Sequence, residues 1–323
     1  MLKRTMNTGR TLVAPLLLLA PAIGLAQVDT SDWACESCPF EQGYRAEIDA
    51  GATSVSDEAA RFGNYTGYDE DGAYGNVDGH GRYVNDGYRL DWSVEDLGLD
   101  SRAVELSMGR QGVFEFRAGY SELPFRRFDT TSTIFSRAAD GTLTLPAGWI
   151  PASTTSQMTQ LGSSLQQRVV GTDRQIVDVG ADWTPADMFR LFADFRRQTR
   201  DGIDISSAGS YTQAAFLPRW VDHETDQVDA GVQYRSDMVS LTLAYYGSFF
   251  TNQNPFLTWD TPFLTVPGAT TLSTAREPDN DFSQISLAGK YRMAAGNTVV
   301  AFFVASGRGE QNADFAPYTI NPD

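Results

Sequence analysis

The connections between strand-like segments constrain this chain most, because very short and very long ones alternate along the sequence. Gln175–Trp183 and Phe189–Thr199 are joined by the four residues 184–187. Two further pairs have similarly short connections around 236–237 and 295–297: Gln227–Tyr234 with Val239–Phe249, and Phe282–Met293 with Thr298–Ser306. Short connections of this kind predict antiparallel hairpins.

The hairpins are separated by segments of about twenty to forty-five residues rich in Thr, Ser, Pro, Gly and Asp. These are Ser121–Arg168, Arg200–Thr225 and Asn252–Asp281. Compact soluble domains rarely contain several such loops. Outer-membrane β-barrels combine short periplasmic turns with long outer loops. We therefore expect an all-β, antiparallel transmembrane β-barrel.

The N-terminus has the pattern of a secretory signal peptide. A basic start precedes an apolar run from Leu12 to Leu25, and small residues lead to a cleavage position after Ala26. A membrane helix is the alternative, but Pro15 and Pro21 break a run that is shorter than the roughly twenty residues needed to cross a bilayer. We predict a signal peptide at 1–26, a periplasmic segment at 27–42 and barrel strands at 43–323.

The net charge excludes one class of partner. The chain has 25 Lys and Arg against 41 Asp and Glu, a net charge of −16. The leader contains three basic residues and no acidic one, so its removal leaves 22 basic and 41 acidic residues, a net charge of −19. Nucleic-acid binding depends on neutralising phosphates with basic residues. We therefore predict no nucleic-acid partner.

The strands show a period of two. In Val239–Phe249, Val239, Leu241 and Leu243 share one face, and Ser240 and Thr242 share the other. This pattern suits strands with lipid on one side and water on the other, although a soluble sandwich with a wet face would also show it. Five aromatic residues near strand ends are candidates for the interfacial girdles of a barrel: Trp183, Phe189, Tyr234, Phe249 and Phe250.

We expect about 10–12 strands. Gly72–Val84 is rich in glycine and gives a weak strand signal, whereas Val299–Val304 is apolar on both faces. The sequence ends in the polar segment Gly307–Asp323, whereas barrels of this class usually finish on a strand with a terminal aromatic residue. The expectation is that these strands form the N-terminal part of a larger barrel.

Cys35 and Cys38 form a C-x-x-C pair soon after the predicted cleavage position. Haem attachment would require His where Pro39 stands, and a thioredoxin-like site would require a βαβ context. Zinc would require two more ligands, and the two histidines, His80 and His223, lie far along the chain. In an oxidising compartment, a structural disulfide or a redox-responsive dithiol remains.

Catalytic and metal sites are not indicated. His80 lies in a turn-like Asp-Gly-His-Gly stretch, His223 lies in an acidic loop-like stretch, and no nucleophile motif accompanies either. Asp69, Asp71 and Asp78 could offer oxygen ligands to Ca²⁺, but their spacing matches no EF-hand. We assign no catalytic residue and no metal site, and we predict that the protein is not an enzyme.

Three motifs carry a resemblance to a known family: Cys35–Cys38, Arg61–Gly67 and Leu123–Phe125, the last within a strand-rich stretch. On these residues the chain resembles the MtrB/PioB family of decahaem-associated outer-membrane proteins. The resemblance implies a barrel sheath that holds a periplasmic decahaem c-type cytochrome for electron transfer across the outer membrane, in metal reduction or iron oxidation.

The resemblance further implies that the barrel binds no cofactor directly, because the partner cytochrome carries the haem. It implies contacts with outer-membrane lipid and with an outer-surface multihaem cytochrome. The alternative functions are a diffusion porin or substrate-specific channel, with Arg190, Arg196 and Arg235 setting selectivity, and an exported soluble β-protein that acts as an adhesin or carbohydrate binder.

Overall fold

A computed structural model describes residues 42–210, 213–264, 270–293 and 298–311. The predicted signal peptide at 1–26 and the pair Cys35 and Cys38 lie outside the described residues, as do the turn residues 295–297. Within those ranges no helix has the length and apolar character needed to cross a membrane.

The described chain consists almost entirely of strands. In chain order the elements are β1 (Gly43–Val55), α1 (Ala60–Gly63), β2 (Gly72–Asn85), β3 (Tyr88–Leu97), β4 (Ala103–Arg110), β5 (Phe114–Thr133), β6 (Ser136–Arg137), β7 (Leu143–Thr144), a 3₁₀ turn (Thr155–Gln157), α2 (Leu161–Ser164), β8 (Gln166–Ala186), β9 (Phe189–Ser210), β10 (Gln213–Arg235), β11 (Val239–Asn252), β12 (Phe256–Asp260), β13 (Thr271–Ala275), β14 (Asn280–Arg292) and β15 (Val299–Gln311).

Eleven of these strands form one antiparallel sheet in the described part of the chain. Its order is β1-β2-β3-β4-β5-β8-β9-β10-β11-β14-β15, and β1 and β15 are its two edges. The three predicted hairpins are confirmed as the pairs β8 with β9, β10 with β11, and β14 with β15. The strand number agrees with the expected 10–12. The sheet is not closed within the described residues, as expected for part of a barrel.

The sheet has one apolar face and one polar face. Val179 pairs with Phe195, and Phe195 pairs with Val228, so all three side chains lie on the same side. On this apolar face Leu243 is 47% exposed and Ile285 is 58% exposed. Side chains this apolar and this accessible are matched to a surrounding lipid phase rather than to water.

Aromatic residues form a rim on the apolar face at the ends of the strands that meet the short turns. Its members are Tyr44, Tyr83, Tyr88, Phe114, Trp183, Phe189, Tyr234 and Tyr291. The rings of Phe189 and Tyr234 are 5.2 Å apart. This confirms three of the predicted girdle residues. Their position suits the interfacial belt of a membrane barrel.

The prediction for Phe250 is wrong. Phe250 follows Phe249 on β11, and successive side chains on a strand point to opposite faces. Phe249 therefore lies on the apolar face, and Phe250 lies on the polar face with its ring 5.1 Å from the His223 ring. Only one of two adjacent aromatic residues on a strand can contribute to a girdle.

Two predicted loops are also wrong in extent. Most of Arg200–Thr225 belongs to β9 and β10, which remain paired beyond Arg200, and β5 carries Ser121–Thr133 as strand. A crossing takes about 9–11 residues, so these strands continue past it. Both faces of the continuation can meet water, and the sequence there lacks the alternation that reveals a half-buried strand.

The weak strand signal of β2 in the sequence also has a physical cause. Gly79 and Gly81 occupy apolar-face positions, and the Trp92 ring of β3 covers Gly81 so closely that a β-carbon there would overlap it. At Gly81, the apolar surface of the sheet is therefore provided by Trp92 of β3 and not by β2 itself. This explains why Gly72–Val84 shows little hydrophobic periodicity while forming a complete strand.

A compact core lies at the long-loop end of the sheet. The strands β6, β7, β12 and β13 form a small second sheet from the two long connections 134–165 and 253–279. We call the described residues of these two connections the outer cap. Phe135 and Leu143 of the outer cap and Leu217 of β10 are fully buried in one hydrophobic cluster. The extended β9–β10 hairpin therefore supports the outer cap.

Candidate functional site

The polar face of the sheet is the candidate functional surface. From β1 to β10 it presents charged side chains of both signs in adjacent strands. Register pairs place Asp178 of β8 beside Arg196 of β9, and Arg196 beside Gln227 of β10. Gly119 of β5 pairs with Asp178, and a β-carbon at Gly119 would overlap the Asp178 carboxylate. The small residue gives that carboxylate its place on the face.

Arg117 is the centre of an ion-pair group on this face that involves three strands. Its Nη2 donates to Asp194 Oδ1 at 2.9 Å, and its Nη1 lies 3.1 Å from Asp182 Oδ2 and 3.6 Å from Glu115 Oε1. Gly180 of β8 makes room for the Arg117–Asp194 ion pair, because a β-carbon at position 180 would overlap Asp194 Oδ1. Arg117 thus binds carboxylates from β5, β8 and β9 and fixes three neighbouring strands to one another.

A second group lies on β2 and β3. Arg82 Nε donates to Asp91 Oδ1 at 2.7 Å, and Arg89 Nη2 donates to the same oxygen at 3.1 Å. His80 stands on β2 with Nε2 4.0 Å from Glu47 Oε2, and its side chain is 70% exposed. The prediction that His80 is a turn residue is therefore wrong, because it sits within a strand.

Two open hollows lie along the polar face. The larger, of about 760 Å³, is lined by residues of β1 to β5 and β8, and the smaller, of about 270 Å³, by residues of β5 and β8 to β11. Arg117 and Asp178 line both hollows. Among the described residues, no Lys, Arg or His nitrogen lies within 4.0 Å of the carboxylates of Glu105, Asp178 or Asp229. Unpaired carboxylates therefore accompany the ion pairs.

The polar face changes character at β11. The corresponding side chains of β11, β14 and β15 are hydroxyl, amide, aromatic or aliphatic over most of their length, and the charged exceptions, Lys290 and Arg292, lie at the short-turn end. On β15, Phe303 is 69% exposed and Val299 is 54% exposed on this side. This is the two-sided apolar stretch of the sequence, and it brings an apolar strip to an otherwise polar surface.

Two of the sequence motifs meet in space. The Tyr65 amide of the Arg61–Gly67 motif donates to the Pro124 carbonyl at 2.9 Å, and the rings of Tyr65 and Phe125 are 5.9 Å apart. The Arg126 amide donates to Asn64 Oδ1 at 3.2 Å. The segment after β1 is thus held on the middle of β5.

Arg126 completes that junction, and sequence reasoning missed it. Its side chain is 13% exposed, its Nε lies 2.7 Å from Asp69 Oδ2, and its Nη2 lies 3.5 Å from Asp100 Oδ2. It also pairs with Asp173 of β8. The nearest signal in the sequence is its position directly after the Leu123–Phe125 motif.

Two of the three acidic residues considered for Ca²⁺, Asp69 and Asp78, have other partners. Asp69 is paired with Arg126, while Asp78 accepts hydrogen bonds from the Asp96 amide at 2.8 Å and from Asn76 Nδ2 at 2.9 Å. Across the described ranges, no group of three or more His, Cys, Asp or Glu side chains is arranged to hold a metal ion. Cys35 and Cys38 lie outside those ranges, and their role stays a prediction.

A charged cluster joins β9 and β10 to the outer cap. Arg219 Nη2 donates to Asp204 Oδ2 at 2.9 Å, and Arg219 Nη1 donates to Glu277 Oε1 at 3.0 Å. Burial is the largest single effect on the pKa of Asp204, and by itself it would raise that pKa. The Ile205 amide and Arg219 together outweigh burial, so the pKa of Asp204 lies below its usual value.

His223 belongs to the same region. It lies within β10 and is partly buried, with Nε2 fully shielded from solvent, so the prediction of a solvated loop residue is wrong. Burial lowers the pKa of His223, and Arg276, Arg200 and Arg219 lower it further, while Glu277 opposes them. The histidine is therefore held towards its neutral form.

Comparisons with known proteins place this geometry in a family. Residues 54–323 match the family model described as putative outer membrane beta-barrel porin, MtrB/PioB. The chain belongs to the MtrB/PioB family. It is 30% identical over 287 residues to outer membrane protein MtrB of Shewanella baltica, an alignment that covers 88% of this chain and 41% of the relative. The chain thus spans less than half the length of that relative.

Solved structures show weaker likeness. OmpT of Vibrio cholerae has 12% identity and a TM-score of 0.35, covering 82% of this chain and 67% of that one. The toluene transporter TodX of Pseudomonas putida has 9% identity and a TM-score of 0.25, covering 83% and 72%. These scores add nothing to the family assignment.

Membership of the MtrB/PioB family makes this an outer-membrane porin-type β-barrel protein. The apolar face with its aromatic rim is then the lipid-facing surface, and the polar face lines the interior. Short turns of outer-membrane barrels face the periplasm, which puts the outer cap at the extracellular end.

Proposed function

We propose that this chain contributes to an outer-membrane sheath that holds a periplasmic decahaem c-type cytochrome and lets electrons cross between the periplasm and the cell exterior. The sheath itself carries no haem and catalyses no reaction. Its apolar outer side makes the contacts with lipid that a haem protein could not make, since every polar group in the bilayer needs a partner.

One observation carries the proposal. The interior side of β15 exposes Phe303 and Val299, with Phe282 of β14 on the same side. In a water-filled channel these side chains would remain in water, whereas contact with a protein occupant would bury them at a gain of roughly 25 cal/mol per Å². Large apolar side chains inside a barrel therefore favour a protein-filled interior over an open pore.

The test is to purify the full-length native gene product from outer membranes in mild detergent and to record covalent haem staining and a visible spectrum. We expect a multihaem c-type cytochrome to co-purify. Phe303→Ser should reduce the haem recovered per barrel severalfold. Phe62→Ser changes a similarly exposed aromatic residue of α1, outside both the main sheet and the outer cap, and it should leave recovery unchanged.

The charged interior of β1 to β10 also suits a diffusion porin or substrate-specific channel, in which Arg190, Arg196 and Arg235 would set ion selectivity. A haem-free, heat-modifiable barrel that conducts ions in planar bilayers would establish that function and remove the sheath proposal.

For the predicted segment at 27–42 we propose that Cys35 and Cys38 form a disulfide in the periplasm. Thiol alkylation with and without prior reduction, read by mass spectrometry, decides between a disulfide and a free dithiol. At the extracellular end, the outer cap is the proposed contact for an outer-surface multihaem cytochrome.

A further inference from the structure

Two arginines stand side by side on the interior face at the extracellular end of the crossing. Arg174 of β8 and Arg200 of β9 are directly paired in the register, and they share the face of Asp178 and Arg196, each four residues away on its own strand. Arg174 lies nine residues from the rim residue Trp183, and a crossing takes about 9–11 residues. Like charges in directly opposite positions of neighbouring strands destabilise a sheet. A local rule that is broken in this way is typical of a functional position.

The neighbouring positions leave this pair without neutralising carboxylates. In the register row that crosses the sheet at this level, Leu123 of β5 stands beside Arg174, and His223 of β10 stands beside Arg200. Among the described residues, no Asp or Glu oxygen lies within 4.0 Å of the Arg174 guanidinium. The row therefore presents two guanidinium groups and no acidic side chain from β5 to β10, in a protein with a net charge of −16.

Arg200 is also weakly neutralised. Its Nε donates to the uncharged Thr172 Oγ1 at 3.2 Å, and its Nη2 lies 3.8 Å from Asp204 Oδ2. Arg219 already donates to that same oxygen at 2.9 Å. The Arg200 side chain is 30% exposed, and Arg174 is partly exposed. Both guanidinium groups are therefore accessible to a partner in the interior.

We propose that Arg174 and Arg200 bind carboxylate groups of the protein that fills the interior, an inference that rests on the proposed function. The planar guanidinium group matches the geometry of a carboxylate, and a carboxylate between the two arginines would offset their repulsion. Leu123 is 38% exposed beside Arg174. An accessible apolar side chain next to the arginines suits contact with a protein surface better than contact with a hydrated ion.

The pair also gives the occupant a direction. On β8, Asp178 lies four residues closer to the short-turn end than Arg174, which is roughly 13 Å along the strand. Asp178 lacks a cation within 4.0 Å in the described part of the chain. An occupant with basic groups at the level of Asp178 and acidic groups at the level of Arg174 fits the interior in one orientation, and like-charge contacts oppose the reversed one.

The experiment uses the full-length protein with its co-purified cytochrome in mild detergent, washed at low salt. Arg174→Gln should lower the haem retained per barrel severalfold, whereas Arg174→Lys keeps the charge and should retain most of it. Arg61→Gln removes a charge from an exposed residue of α1 and should leave retention unchanged. The haem-free barrel, prepared from cells that cannot attach haem, gives the structural readout. Its thermal midpoint should stay equal or rise in Arg174→Gln, because the repulsion between the arginines is lost.

A photo-crosslinking residue in place of Leu123, which leaves both arginines intact, identifies the contact by mass spectrometry. We expect crosslinked cytochrome peptides that contain Asp or Glu. Equal haem retention in Arg174→Gln, or crosslinked peptides without carboxylates, would overturn the inference. So would a change confined to the anion selectivity of the haem-free barrel, because the ligand would then be a mobile ion. In these three outcomes cytochrome still co-purifies with the unmodified protein, whereas its absence there would refute the proposed function and this inference with it.

Discussion

Phe192 of β9 lies across Gly231 of β10, its directly paired neighbour on the interior face. A β-carbon at position 231 would stand 2.6 Å from the Phe192 ring and 2.6 Å from the Leu243 carbonyl oxygen of β11. The aromatic ring thus occupies the space that glycine leaves, and the backbone of the third strand closes the other side.

Gly231→Val should therefore destabilise the barrel despite the higher strand propensity of valine. The Phe192 ring can rotate away, but the Leu243 carbonyl belongs to the sheet backbone, so relief requires the strands to shift. Forced overpacking typically costs about 1–3 kcal/mol. The measurement is the thermal midpoint of unfolding by circular dichroism in detergent. Gly51→Val, at a strand position with no neighbour within 4 Å of the added carbon, should not lower the midpoint.

Leu243 and Ala244 are adjacent on β11 and point to opposite faces. Leu243→Arg would place a charge in the hydrocarbon region, which costs about 2–4 kcal/mol near the bilayer midplane, while Ala244→Arg would place it in the interior. We expect the first variant to reduce the yield of folded, heat-modifiable protein in outer membranes and the second to retain most of it. Equal yields would contradict the assignment of the two faces.

Alternation made the central hairpins predictable, because Val239, Leu241 and Leu243 are apolar where Ser240 and Thr242 are not. It fails where a strand is not half-buried. The outer ends of β9 and β10 pass beyond the crossing and show no contrast between faces, and β2 uses Gly81 where Trp92 supplies the apolar surface. Sequence rules treat one strand at a time, so they do not detect apolar surface that a side chain of the neighbouring strand provides.

The candidate surface was predictable in kind and not in detail. The polar residues of β8 and β9 indicate a wet interior with both charges. The register that brings Arg117 to Asp182 and Asp194, however, joins residues 65 and 77 positions apart in the chain, which strand patterns do not predict. Similarly, the Arg61–Gly67 and Leu123–Phe125 motifs are visible in the sequence, while their contact depends on the folded path of the segment after β1.

Arg126 should be the most important single residue of that junction. Arg126→Gln leaves the carboxylates of Asp69, Asp100 and Asp173 without their shared cation, at a cost of about 2 kcal/mol. We expect faster proteolysis within 56–71 and a lower thermal midpoint. Arg61→Gln, an exposed arginine in the same segment, is the control and should leave both unchanged. Unchanged protection in Arg126→Gln would show that the hydrogen bonds of the Asn64 side chain and the Tyr65 amide to the β5 backbone suffice.

The outer cap should lose stability in mildly acidic solution. The folded state holds the pKa of His223 below its ordinary value of about 6.5, so below that pH the unfolded chain binds a proton that the folded one resists. The stabilisation is complete above about pH 6.5 and is lost as the pH falls through the folded pKa. Burial is the main cause of the lowered pKa of His223; the charges of Arg276, Arg200 and Arg219 lower it further, and Glu277 opposes them.

Limited proteolysis of the outer cap at pH 7.5 and 5.5 measures this dependence. His223→Gln should weaken the difference between the two pH values. His80→Gln alters the exposed histidine of β2 and should preserve the difference. A difference that persists unchanged in His223→Gln would assign the acid sensitivity to carboxylates of the cap instead.

The unpaired interior carboxylates predict how the proposed cytochrome is held. Glu105, Asp178 and Asp229 lie among ion pairs but lack a cation of their own in the described residues. A basic surface on the occupant would complete them, and such contacts weaken as salt screens them. The combined variant Glu105→Gln, Asp178→Asn, Asp229→Asn should retain less cytochrome in low salt and show a smaller further loss as salt increases.

The matched variant Glu58→Gln, Asp71→Asn, Asp187→Asn removes the same charge from exposed residues outside the strands and should behave as the unmodified protein. If both variants retain cytochrome equally at every salt concentration, the occupant is held by the apolar strip around Phe303 rather than by charge.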